Sequence, residues 1–409
     1  MKKREVKSAK CQGSVLVFVA LAVMACDVEG TLLTTERAGS GPDGAAVGVL
    51  DAGSSGEPRP NSSFPPAGVI SVEAGRDHTC VLRQGGDVVC WGTVVQGAVP
   101  QRVSLPRPVT QHSGGEDFHC ARDEAGAVFC FGINDLGQLG AGDFSRRSGV
   151  SQVQLAGPAR SVSAGGDHAC AVLEDGSLHC WGNSNESILG FSSNGEPPEP
   201  SPVQVQEPAD WSAVVACSGH TCALDATNAL YCWGRNSSGQ AGQQRSPQVQ
   251  NPTRVGTDND WQALSCRLAA SCGLRGRDLF CWGAFHLQDT SRGPPVVDRF
   301  ETPRARLEGL PVTAVSAHTF TTCAVDSEGE LYCWGRGIEG QLGLGDNSAR
   351  SEPTQIPSEA SVVDVSVGWF HTCVVYATGD VACTGDNRRG QLGTGDLERR
   401  AVLTAVRLP

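Results

Sequence analysis

Beyond its first ten residues, no stretch of this 409-residue chain gathers lysine and arginine into a basic run, and 32 Lys+Arg against 44 Asp+Glu leave a net charge of −12. A surface of that sign repels nucleic acid and anionic lipid. The longest mainly apolar run, residues 13–26, is too short to read as a transmembrane helix. No segment sustains a helical spacing of apolar residues, so the class is all-β. No Ser/His/Asp arrangement, paired-carboxylate motif or phosphate loop stands out. No catalytic residue, metal or cofactor is therefore assigned.

What is present begins with "MKKREVKSAK", five basic residues and one acid, followed by "GSVLVFVALAVMAC" (13–26). A basic opening, a short apolar run and small residues before a cysteine form a secretory signal. "VMAC" (23–26) looks like a bacterial lipobox, which makes Cys26 the lipidated new N-terminus and residues 1–25 the removed signal. The plainer alternative is an ordinary cleaved signal with Cys26 beside the cut. Removal of 1–25 takes Lys+Arg from 32 to 27 and Asp+Glu from 44 to 43, a net charge of −16. Residues 27–67 are Gly, Ser, Pro and Ala with few large apolar groups, a composition that cannot offset its ordering entropy. Together with Cys26 they read as a disordered tether, about 35 Å in mean span.

From residue 68 the chain repeats. Cysteine pairs stand at Cys80/Cys90, Cys120/Cys130, Cys170/Cys180, Cys222/Cys232, Cys272/Cys281, Cys323/Cys333 and Cys373/Cys383. Most units are near 50 residues long, with Gly-rich turns between strand-like runs, which means a solenoid or a propeller. In the third unit "CAVLEDGSLHC" (170–180) folds as a hairpin with a three-residue loop, Glu174-Asp175-Gly176, setting Cys170 opposite Cys180. Such loops want a left-handed last residue, and the other ten-residue spacings supply Gly86, Gly126, Asn228, Gly329 and Gly379 there. The fifth unit is one residue shorter, and a two-residue turn, Gly276-Arg277, keeps Cys272 opposite Cys281. One cross-strand disulfide per unit follows if the pairs are of the close, non-hydrogen-bonded kind. Zinc is the rival, but the spacing is too long for a zinc knuckle, and export disfavours both zinc and free thiols. Cys217 and Cys266 remain, each five or six residues before a hairpin cysteine in consecutive units. They are expected to join each other. With Cys11 lost in the signal and Cys26 lipidated, the cysteine count closes.

"AGGDHACAVLEDGSLHCWG" (164–182), "LYCWGRGIEGQLGLGD" (331–346) and "GDNRRGQLGTGD" (385–396) resemble repeats of the regulator of chromosome condensation family. The resemblance covers roughly residues 68–409 and implies a seven-bladed β-propeller. The chain departs from the pattern in four places. The first unit lacks Gly-Gln-Leu-Gly, and the fifth has lost it in "WGAFHLQDTSRG". Phe131 and Thr384 replace the Trp of the second and seventh units. Family members range from nuclear nucleotide-exchange factors to a secreted bacterial inhibitor of β-lactamase. The resemblance of an exported acidic chain is to the second context, and neither exchange activity nor chromatin binding is carried over.

His78, His168, His220 and His371 share one repeat position. A metal ring is one reading. The other is that each imidazole ties a turn to its own blade by a hydrogen bond. Phe118, Ala270 and Thr321 occupy that position in the remaining units, which argues against a symmetric site. No acidic loop has calcium-binding spacing. The reading is a monomeric, non-enzymatic cell-envelope lipoprotein, anchored to a bacterial membrane only through lipid. Its propeller faces bind a partner, a protein rather than nucleic acid. Alternatives are an inhibitor of an extracellular enzyme, or a polysaccharide-active enzyme with two carboxylates facing across an axial funnel. The divergent stretches 183–202, 235–252 and 284–303 are where binding is expected. Cys26→Ser is expected to abolish lipid labelling and release the protein from the membrane fraction. Unchanged partitioning of that variant refutes lipidation.

Overall fold

The computed structural model describes residues 68–191, 197–206, 210–286, 297–307, 309–318 and 320–409. The signal, Cys11, Cys26, the tether and parts of two divergent stretches (192–196 and 287–296) lie outside the described residues. The described part is a seven-bladed propeller. Its seven sheets each contain four antiparallel strands in chain order. The blades span 69–102, 109–152, 159–205, 211–254, 261–305, 312–356 and 362–405. Among the described residues no strand is exchanged between first and last blades. The four strands at 362–405 complete the seventh sheet on their own.

The hairpin reading holds in register. Cys170 faces Cys180, Ala171 faces His179 and Val172 faces Leu178. Gly86, Gly126, Gly176, Gly329 and Gly379 take positive φ of 79–84°, and Asn228 does so at 62°. In the fifth unit Cys272 faces Cys281 across Gly276 (φ +61°) and Arg277. The same opposition recurs in the other blades, where Cys80 faces Cys90, Cys120 faces Cys130, Cys222 faces Cys232, Cys323 faces Cys333 and Cys373 faces Cys383. All seven blade pairs are disulfides with Cα–Cα of 4.0–4.1 Å, the close pairing a bridge requires.

The core lies in the seams, because each sheet buries both faces against its neighbours. Inner strands such as Val69–Ala74 and Val312–Ala317 carry small and β-branched residues, the shapes that fit where seven sheets converge. A bulge near the start of every inner strand adds twist there. Five seams share one hydrogen bond near the axis. An inner-strand serine hydroxyl accepts the backbone N–H of the next blade, as Ser113 does from Ala164, Ser163 from Ala216, Ser265 from Ala317, Ser316 from Val367 and Ser366 from Ala74. The fourth blade has Val215 at that position, and its seam with the fifth carries the bridge Cys217–Cys266 instead, at Cα–Cα 5.4 Å.

The Gly-Gln-Leu-Gly motif is an arm that reaches onto the next blade. Asn134 and Gln138 shape it from within: Leu139 N–H donates to Asn134 Oδ1 and Leu136 N–H to Gln138 Oε1. Its leucine is buried in the seam, and its backbone carbonyl accepts the neighbouring indole N–H. Trp181 donates to Gln138 O, Trp233 to Ile188 O, Trp282 to Gln240 O and Trp91 to Gln391 O. The last of these closes the ring, joining blade seven to blade one. The substitutions at the Trp position now have reasons. Thr384 uses its hydroxyl to reach Gly340 O, as an indole would. Phe131 follows the one blade with neither an arm nor a replacement for it, so no carbonyl awaits an N–H there.

The shared histidines require a correction. The expected bond from each imidazole to its own turn is not formed, because a backbone pair such as Gly165 N–H to His168 O already closes that turn. Instead, the rings of His168, His220 and His371 cross the seam. His168 Nε2 lies 2.8 Å from Thr221 Oγ1, and that hydroxyl donates to Ile188 O of the arm. His220 and Ser271 pair at 2.7 Å, and His371 and Thr79 at 2.9 Å, with the same onward bond. Since each hydroxyl proton is committed to a carbonyl, Nε2 is the donor, and burial keeps the rings neutral. Burial holds His78, His168 and His220 at about 3 and His371 at about 4, and it depresses His112 and His318 to about 3 as well.

Two outcomes are expected. A histidine whose folded pKa lies below its unfolded value near 6.5 leaves stability intact above that pH and removes it as pH falls toward the folded value. Each of these six should cost about 2 kcal/mol at pH 5. The melting temperature should be flat from pH 8 to 7 and fall steeply below 6. A flat profile down to pH 4.5 contradicts the neutral rings. Each hairpin bridge is worth roughly 2–3 kcal/mol on the chain-entropy model, and the 49-residue loop about 4. Reduction should therefore lower the melting temperature by tens of degrees, and digestion without reductant should release a peptide linking Cys217 to Cys266. A shift of a few degrees, or Cys217 recovered with Cys222, argues against the scheme.

Candidate functional site

In a four-stranded antiparallel blade, the turn between strands one and two and the connection between strands three and four lie at the same end. One face of the propeller therefore carries seven inner turns around the axis and the arms and inserted loops outside them. The opposite face carries the cysteine hairpin turns. Gly68 and Pro409 lie with that opposite set: Gly68 O accepts from Gln84 N–H, and the Arg83 guanidinium donates to Pro409 O.

The inner turns form a rim of two chemistries. Those of blades one to three are Gly75-Arg76-Asp77, Gly115-Glu116-Asp117 and Gly165-Gly166-Asp167. Arg76 pairs with Glu116 at 2.5 Å and with Asp117 at 3.0 Å. Half-burial first, and the neighbouring carboxylates next, raise Asp77 and Asp117 above the ordinary aspartate value. Asp167 is raised the same way, with Glu116 the foremost negative neighbour. Across the rim, blades six and seven present Phe320, Trp369 and Phe370. Phe320 and Phe370 are parallel at 6.2 Å, and the Arg336 guanidinium lies 5.3 Å from the Phe320 ring centroid. Arg76 bridges the two halves, 4.5 Å from the Trp369 centroid. Beneath the rim Arg267, almost wholly buried, extends from blade five to the carbonyls of Ala74 and Gly114 in blades one and two, which fills the axis. The turns of blades four to seven contribute no carboxylate, so the rim offers no acid pair facing across the funnel.

Outside the rim, the seam between blades one and two is open. Between blades one and two a cleft of about 630 Å³ runs along 93–96, 101–104, 131–133 and 146–150, with Asp117 at its inner end. This is the place where blade one would have an arm. Phe131 forms part of its floor, with Val95 and Val150 half-buried beside it.

The sixteen cysteines assigned to bridges are all placed as buried structural pairs, and Cys26 lies outside the described residues. Seven are cross-strand bridges, Cys80–Cys90, Cys120–Cys130, Cys170–Cys180, Cys222–Cys232, Cys272–Cys281, Cys323–Cys333 and Cys373–Cys383. The eighth, Cys217–Cys266, joins two blades. Among the described residues two clusters have metal-like proximity, His78/Cys80/His119 and Cys217/His220/Cys266, but every sulfur in them is committed to a disulfide. The divergent stretches lie on the rim face as far as they are described. Composition and spacing did not single out the rim residues or the cleft. The cleft's signal was the missing Gly-Gln-Leu-Gly of the first unit together with Phe131. Arg267 had no signal at all, standing where most other units have glycine.

Comparisons agree with this architecture. Two models described as "Regulator of chromosome condensation (RCC1) repeat" match residues 125–172, 175–224 and 328–375, and residues 69–93, 159–187, 211–240, 312–341 and 362–391. The chain is similar to the mitochondrial RCC1 domain-containing protein RUG3 of Arabidopsis thaliana, 27% identical over 158 residues, 36% of each chain. It is also similar to the regulator of chromosome condensation of Mus musculus, 30% identical over 328 residues, 70% of this chain and 65% of the relative. It thus spans about a third of the first relative's length and just under two thirds of the second's. Among solved structures, yeast RCC1 (Prp20) bound to Kap60 matches with a TM-score of 0.70 at 18% identity, over 91% of this chain and 90% of that one. The matched repeats extend over more than half of the chain, which belongs to the regulator of chromosome condensation (RCC1) repeat family.

Proposed function

We propose that this chain is an exported, lipid-anchored propeller that binds a partner protein through its rim face. The observation that carries the reading is the rim's asymmetry. Seven turns at equivalent repeat positions present carboxylates over three blades and aromatic rings over two others. Ring geometry alone calls for seven similar turns. Half-buried aromatic rings beside clustered acid fit a protein partner bearing basic side chains near an apolar centre. Solved yeast RCC1 is captured with a protein, Kap60, and the same class of partner is extended here to this chain. The eight disulfides fit an oxidising compartment. Gly68 and Pro409 lie on the far face, away from the rim.

The test is retention of envelope proteins by the immobilised protein. Asp117→Arg with Asp167→Arg should lower retention of the partner at least about tenfold, in line with the cost of like-charge juxtaposition. Glu124→Arg with Glu328→Arg, on the opposite face, should leave it unchanged. Equal losses from both pairs, or none from the rim pair, would sink the reading.

A further inference from the structure

We infer that the cleft between blades one and two receives a loop donated by the partner protein, a glycine-flanked turn with one leucine-sized side chain and at least one carboxylate. This deepens the proposed function and rests on it.

The occupant's chemistry is written in the other six seams. Leu139, Leu189, Ala241, Leu342 and Leu392 each enter a seam from an arm, and all are 2% exposed or less. Among its described residues blade five has no such arm, but its third strand is extended to Asp278–His286, and Phe285 is buried against Trp334 in the same role. Blade one is described throughout and supplies nothing, and there the cavity stands. Its 630 Å³ falls in the range of about 300–1,000 Å³ usual for ligand sites. Its floor is apolar, as a leucine side chain requires. Its walls carry Arg102, Arg146 and Arg147 against the single Asp117, in a chain of net charge −12. Asp87, Asp135 and Asp143 hold those arginines in largely exposed pairs, which an incoming carboxylate can replace at little cost. The Phe131 side chain has no N–H, so the slot lacks the indole donor that other seams aim at a backbone carbonyl. A second copy is a poor donor because its described arms are already seated in its own seams. Gly68, where the described chain begins, lies on the opposite face.

The probe is the chain's own sixth-unit arm as a free peptide, "GIEGQLGLGDN" (337–347), which has two carboxylates and the leucine. Titrated into the full-length protein, it should bind saturably, and hydrogen exchange should slow in 93–104 and 131–150. Gly149→Trp is the blocking variant, because Gly149 lines the cleft and a Cβ built on it meets nothing within 4 Å, which leaves room for a side chain there. It should weaken peptide binding at least about tenfold, as should Arg146→Glu with Arg147→Glu. Phe131→Trp restores the donor that other seams use and should strengthen binding about three- to tenfold, the worth of one net hydrogen bond. Absence of saturable binding, protection at another seam, or indifference to Gly149→Trp overturns the inference. So does protection of 93–104 before any peptide is added: independent of protein concentration it points to residues 1–67, and rising with concentration to a second copy. If Gly149→Trp leaves partner retention intact while the rim pair abolishes it, the cleft assignment fails and the rim reading stands.

Discussion

The seam between blades is the interaction on which everything else in this molecule depends. A four-stranded sheet with both faces apolar has no stability alone, and it acquires a core only when a neighbour covers it. Apolar burial does not say how two sheets should be aligned. Polar links do: serine to inner-strand amide near the axis, imidazole to hydroxyl to arm carbonyl further out, indole to the same carbonyl. Each link lies out of water, so a misaligned seam leaves orphaned donors at about 1–3 kcal/mol apiece. Directional bonds therefore set the rotation of one blade against the next.

The irregular seams show that these links are interchangeable parts. Where the serine gives way to Val215, a disulfide crosses nearby. Where the arm gives way in blade five, a longer strand and Phe285 take its place. Thr384 stands in for an indole. The seam after blade one departs furthest, with Glu73 for serine, no arm, Phe131 for Trp and His119 where five of the other six blades have a hydroxyl. Arg267 reaches the Ala74 and Gly114 carbonyls on its two sides, so the axis tightens where the periphery is loosest.

Much of this was legible in the residues. Cysteine spacing and turn glycines set the hairpin register, including the shortened fifth unit, because strand pairing across a tight turn is a local matter. The repeat length and the family motif carried the ring. What was not legible is what crosses between units. A histidine at a fixed repeat position looks the same whether it bonds backward to its own turn or forward to Thr221, and only the packed seam decides. Rim chemistry was hidden for a related reason. Asp77, Asp117 and Asp167 lie 40 and 50 residues apart, and each alone is an ordinary turn aspartate. The propeller makes them neighbours. Arg267 looks like a surface cation after a strand, and nothing local says that it points inward.

The ring is closed by an arm laid across a seam, with no strand shared between the first and last described blades. Blade one and blade seven are each complete, and Gly68 lies beside Gly379 on the face that also holds Pro409. Topologically the chain is a circle whose covalent break falls at one of seven similar places. A gene encoding the same blades from a different starting unit would specify the same ring, provided a short linker joined 409 to 68. Moving the break from one seam to another therefore requires no strand to find a new sheet.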